Sequence, residues 1–158
     1  MNVPKSTSID LVADELIEVV EFFSARLAVM DDSVVRIKPT EERWAIIEVL
    51  GHLVDSAANN HQRFVRALQT DSMVFPNYDQ NFWVKSQQYR ECSWDNLIDF
   101  WKLYNFQLAQ IIRRIPDEKM RVKCTITPNE PVSLSFLVED YLAHMKHHLN
   151  KISERTGI

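Results

Sequence analysis

Apolar residues recur at three-and-four spacing in four stretches of the chain, the period of amphipathic helices. In the first, about residues 8 to 30, Ile9, Val12, Leu16, Val19, Val20, Phe23, Leu27 and Met30 make one stripe. Glu15, Glu18, Glu21 and Arg26 take the opposite, solvated side. Asp31-Asp32-Ser33 and Lys38-Pro39-Thr40 predict a connector. A second helix, from Trp44 or Ile46 to Leu68, carries Ile46, Val49, Leu50, Leu53, Ala57, Phe64 and Leu68 on one face. The third starts after Ser93, a good N-cap, and ends near Ile115-Pro116. Its core positions read as Leu97, Phe100, Trp101, Tyr104, Leu108, Ile111, Ile112 and Ile115. The fourth runs from a Ser133 or Ser135 cap to about Arg155, with Gly157 as its stop.

Four helices of similar length predict an all-α protein, a four-helix bundle in one domain over residues 1–158. Having only 2 glycines argues against a turn-rich β fold and against phosphate-cradling loops. Two connections are longer than usual. Residues 71 to 92 hold Phe75-Pro76-Asn77-Tyr78-Asp79-Gln80-Asn81-Phe82-Trp83, too apolar to leave in water, so this segment is expected to pack over one end of the bundle. Within it, Phe82 to Tyr89 suits a short helix. Residues 117 to 132 contain Pro128 and Pro131 and read as non-helical, with Arg121 to Thr127 locally extended. A net charge of -4 gives no basic footprint for nucleic acid. No apolar run approaches the roughly 20 residues of a membrane span. The N-terminal Met1-Asn2-Val3-Pro4-Lys5-Ser6 lacks an apolar signal core, and Cys92 and Cys124 form no close motif; two thiols without a signal segment read as reduced, so a cytoplasmic protein is expected.

The chemistry concentrates in histidines. His144 and His148 stand one helical turn apart, on a flank of the stripe formed by Leu134, Leu137, Val138, Tyr141, Leu142, Met145, Leu149 and Ile152. His147 falls roughly 60° further outward. On the second helix His52 lies at the edge of the apolar stripe and shares that edge with Glu48, Ser56, Asn59 and Arg63; His61 is about half a revolution away. Three imidazoles with an open fourth position form a catalytic zinc arrangement, and imidazole also suits nickel or iron. An H-x-x-x-H pair alone is a weak signal, and flank histidines are often hydrogen-bonded boundary residues. Met145 stands where a zinc-protease helix has glutamate, and the Glu-x-x-His pairs of a di-iron bundle are missing. Glu48 and Asp140, each one turn before a candidate ligand, either orient an imidazole or are plain surface carboxylates.

Trp44, then Glu48-Val49-Leu50-Gly51-His52-Leu53-Val54-Asp55-Ser56-Ala57-Ala58-Asn59-Asn60-His61-Gln62-Arg63-Phe64, and later Asp140-Tyr141-x-x-His144-x-x-His147-His148, resemble the DinB/YfiT-like superfamily. So does the Phe75-Pro76-x-Tyr78-Asp79-Gln80 loop, and the likeness covers nearly the whole chain. It implies a four-helix bundle, commonly a homodimer, with a divalent metal on His52, His144 and His148. Zinc or nickel comes first, with iron or manganese also compatible. Some members transfer thiols such as bacillithiol or mycothiol, others are proposed hydrolases, and despite the family name no DNA binding is implied. One departure is Ala45, where a capping Ser is expected after the Trp. The resulting expectation is an enzyme whose ion activates a thiol or water against a small-molecule substrate, with a low-molecular-weight thiol as possible cosubstrate. Asn59, Arg63, Tyr78, Asp79 and Gln80 are candidates for the substrate mouth. A non-catalytic dimeric bundle, its metal structural or absent, is the alternative.

Overall fold

The computed structural model describes residues 8–158, so the expectation of an N-terminus without a signal core lies outside the described residues. Six helices follow in order: α1 Ser8–Ala28, α2 Asp32–Val35, α3 Ile46–Ala67, α4 Gln80–Gln87, α5 Trp94–Arg113 and α6 Leu134–Thr156. The four long ones are the helices that the periodicity predicts. α1 packs against α5 and α6, and α3 packs against the same two. The ring therefore runs α1–α5–α3–α6, and the chain-consecutive α1 and α3 sit across a diagonal. This order makes α3 and α6 neighbours.

Helix ends follow local chemistry. Ser93 accepts the Asn96 N–H at 3.3 Å to start α5, and Ser133 accepts the Phe136 N–H at 3.1 Å to start α6. Gly157, at φ 74, closes α6 in the left-handed region. Ala45 offers α3 no side-chain oxygen. Instead the Glu48 carboxylate reaches back to the Ala45 N–H at 2.8 Å, one half of a capping box.

The core is apolar and tightly filled, with Trp101, Phe64, Leu16, Leu50, Leu108, Met145 and Leu149 fully buried. Each such group is worth about 1.5–3 kcal/mol. Phe100 departs from the expected core: it is 53% exposed and stacks on Tyr104. The buried face of α5 includes Leu97, Ile98, Trp101, Leu108, Ala109 and Ile112, and Phe100 falls about 60° beyond its Leu97 edge.

The bundle carries a small sheet beyond the all-helical expectation. β1 Ser72–Phe75 pairs in parallel with β2 Lys123–Ile126, which pairs antiparallel with β3 Val132–Ser133. Extension near β2 was legible; β1, inside the aromatic connection, was not. Leu134 N–H donates to Val122 O at 3.0 Å and Ser135 N–H to Met120 O at 3.1 Å. The sheet thus ties the end of α3 to the start of α6 and fixes how the two helices slide past each other.

The connection between α3 and α5 folds onto α3. Asp79 caps α4 by accepting the Asn81 and Phe82 N–H groups, each at 3.0 Å. Beyond α4, the Tyr89 ring lies against Gly51, where a Cβ would fall 2.2 Å from Tyr89 Cδ2. Only glycine permits that approach. The Tyr89 hydroxyl donates to Asp55 Oδ1 at 2.6 Å. Covered by α4 on one side and the bundle on the other, residues 46 to 57 are buried nearly all round, Glu48 alone being partly exposed.

Candidate metal centre

His52 projects from the buried half of α3 and is 1% exposed, while His144 and His148 come from the facing stretch of α6. The neighbouring helices bring all three rings together. His52 Nε2 is 3.3 Å from His144 Nε2, which is 3.1 Å from His148 Nε2. One ligand nitrogen from each ring lies within 4.8 Å of the others. A ring nitrogen carries either one proton or one lone pair, so His144 Nε2 makes one good hydrogen bond here and not two. An ion with metal–nitrogen bonds of about 2.0–2.1 Å would space tetrahedral neighbours about 3.3 Å apart. Two of the three nitrogen pairs stand at that spacing, and the all-imidazole donor set suits such an ion.

Electrostatics favour the ligand form. Burial first, then the His148 and His144 rings, push His52 down to about 3. Burial, then His144, His147 and Lys151, push His148 down to about 4. Burial lowers His144 as well, opposed by Asp140. Neutral imidazoles bind metals without proton competition at ordinary pH. Trp44 walls the cluster, its ring 4.9 Å from that of His52. The His52 Nδ1 is buried without a partner among the described residues.

Two cavities open beside the cluster. One, of about 260 Å³, is lined by His148 with Trp44, Gln80 and Asn81 and ringed by Arg43, Lys151 and Arg155. The other, of about 200 Å³, is lined by His144 with Arg63, Tyr78 and Asp140 over Ser56 and Asn60. A larger cavity of about 530 Å³ reaches Trp44 and Glu48 and no histidine.

Of the candidates around the site, Arg63, Tyr78 and Asp140 share the His144 cavity and Gln80 lines the His148 cavity. Asp79 caps α4, the capping role being one of the two readings open to it, and it lines neither histidine cavity. Glu48 accepts from the Ala45 N–H at the start of α3 and lines the larger cavity that holds no histidine. Asn59 donates to the Asp55 carbonyl at 2.9 Å and lines a separate cavity with Phe75 and Pro76, away from the histidines. His61 bonds Tyr104 at 3.0 Å, and His147 is exposed.

Sequence reasoning passed over Asp55, one turn beyond His52. Its Oδ1 accepts from Tyr89 and from Gln87 Nε2, the latter at 2.7 Å, while Oδ2 is buried without a partner among the described residues. Burial raises its carboxyl, against the Tyr89 and Gln87 bonds. Its spacing from His52 was visible; its partners, more than thirty residues away, were not.

Comparison with known proteins gives the following. A family model described as the DinB superfamily matches residues 8–152. The chain is 23% identical over 147 residues to "Putative metal-dependent hydrolase YfiT" of Bacillus subtilis strain 168, covering 89% of this chain and 82% of that protein. It is 24% identical over 156 residues to "Putative metal-dependent hydrolase OB0413" of Oceanobacillus iheyensis, covering 96% and 89%. A solved structure of YfiT from Bacillus subtilis superposes with a TM-score of 0.79 at 21% identity, covering 99% of this chain and 93% of that one. That structure is described as a probable metal-dependent hydrolase with an unusual four-helix bundle topology.

Proposed function

This chain belongs to the DinB superfamily, and from that premise we propose that it is a divalent-metal-dependent hydrolase acting on small molecules. The observation that carries the reading is the convergence of three neutral imidazoles beside a small polar chamber. His52, His144 and His148 would hold the ion, with zinc or nickel the first choices and iron or manganese alternatives. When bound, such an ion supplies Lewis acidity, lowering the pKa of a water or thiol and polarising a carbonyl.

The surrounding residues supply the rest. Burial pushes Tyr78 up to about 12, with Asp55 adding and Arg63 opposing, so its hydroxyl keeps its proton at neutral pH. It can donate a hydrogen bond to an oxygen that gains charge during the reaction. Asp140, on the His144 cavity, is the carboxylate placed to take a proton.

A second reading has its own support. Arg43, Lys151 and Arg155 around the His148 cavity suit an anionic thiol cosubstrate, which would make the reaction S-transfer to an electrophile. The deciding experiment supplies metal-loaded protein with ester and amide panels, and separately with an electrophile plus bacillithiol, mycothiol or coenzyme A. Hydrolysis without thiol consumption, abolished in His144→Ala, supports the first reading. Thiol consumption without hydrolysis supports the second. Neither would leave the family's non-catalytic bundle as the better account. A homodimer is part of the proposal, tested by the mass of the protein in solution.

A further inference from the structure

Arg63 is 9% exposed, yet it makes no hydrogen bond or ion pair among the described residues. Burial lowers its pKa, and the groups that oppose this are Tyr78 and Asp140, both on the cavity that His144 lines. Its stem is packed into the bundle while the guanidinium opens on that cavity, where an anionic guest would be the counterion that the described residues do not supply. Eleven residues separate Arg63 from His52, which puts it on nearly the same face about 16 Å further along α3. Long helical side chains lean back toward the N-terminus, here toward the histidines.

We propose that Arg63 is the carboxylate-recognition residue of the chamber, and that the substrates are small N-acyl amino acids or similar amido-carboxylates. The inference rests on the hydrolase reading for the fate of the substrate, but its binding claim stands apart. A carboxylate matches the two-pronged guanidinium fork. Asp140 faces the same space and would repel a second negative charge, but it accepts a hydrogen bond from an amide N–H. The acyl carbonyl is then left for the His144 end of the cavity. At about 200 Å³ the space is below the roughly 300–1,000 Å³ of drug-sized sites, which restricts it to a compact ligand.

The test titrates the protein, metal-loaded and metal-stripped, with N-acetylglycine and with its neutral amide, N-acetylglycinamide, by calorimetry and by ¹⁵N NMR of the arginine Nε–H signals. The acid is expected to bind about tenfold more tightly or better, the equivalent of one charge-assisted hydrogen bond, and to shift the Arg63 signal. Arg63→Met should abolish this preference with metal content retained, and Asp140→Asn should tighten binding of plain propionate. Equal binding of acid and amide by the unaltered chain overturns the assignment and needs no variant to fold. So does a preference that survives Arg63→Met. Arg63-dependent binding without hydrolysis supports this assignment while counting against the hydrolase reading. Hydrolysis with no preference for the acid does the reverse.

Discussion

The three histidines are held neutral chiefly by burial, with neighbouring imidazoles adding to it, and this has a measurable cost in acid. His52 titrates near 3 in the folded chain and near 6.5 when unfolded. Below pH 6.5 the unfolded chain takes up the proton first, so stability falls as pH drops, until the folded ring also titrates near 3. His52 alone should cost the metal-free protein on the order of 2 kcal/mol at pH 5 relative to pH 8. Urea midpoints at the two pH values check this, and His52→Asn should flatten the dependence. A wild-type midpoint that the variant matches at both pH values would contradict it. At this scale the clustering of the three histidines was legible, because His144 and His148 share a face by spacing and all three sit on flanks of apolar helical stripes. The roles of Glu48 and Asp79 were not, because a carboxylate one turn before a ligand or in a polar loop looks the same whether it meets a substrate or a backbone N–H. Arg63 could be placed on the right edge by spacing, whereas its lack of a partner is a fact of the tertiary structure.

Among the elements, the long helices were readable because their apolar stripes are long and capped by Ser93 and Ser133. The sheet was less so. β1 is four residues of mixed burial, too short for alternation to stand out, and it exists because β2 lies beside it. The α4 segment was expected to cover one end of the bundle. What sequence could not reveal is how it is fastened, since the Gly51–Tyr89 contact joins residues on different elements. Gly51→Ala should force the buried Tyr89 ring to move, costing about 1–3 kcal/mol. That corresponds to a drop of about 2–10 °C in melting temperature for a chain of this size. In a Tyr89→Ala background the same change should cost little, a non-additivity read from a double-mutant cycle. Equal losses in both backgrounds would mean that the ring does not fasten this segment.

For the molecule as a whole, no described helix is long and apolar enough to cross a membrane. The core is complete without an ion, because the apolar faces of α1, α3, α5 and α6 close on one another. A bound ion then stabilises by mass action, by about 2.7 kcal/mol at a hundredfold excess over its dissociation constant. Chelation should therefore lower the melting temperature by about 5–10 °C and leave the helical circular dichroism at 25 °C unchanged. Collapse of the helical signal would assign the metal a structural role instead. The most direct measurement is the metal content of untagged protein by mass spectrometry, alongside single alanine variants at positions 52, 144, 147 and 148. The account predicts one divalent ion per chain, lost in His52→Ala, His144→Ala and His148→Ala and kept in His147→Ala. Protein without stoichiometric metal, or metal content untouched by His144→Ala, would contradict it.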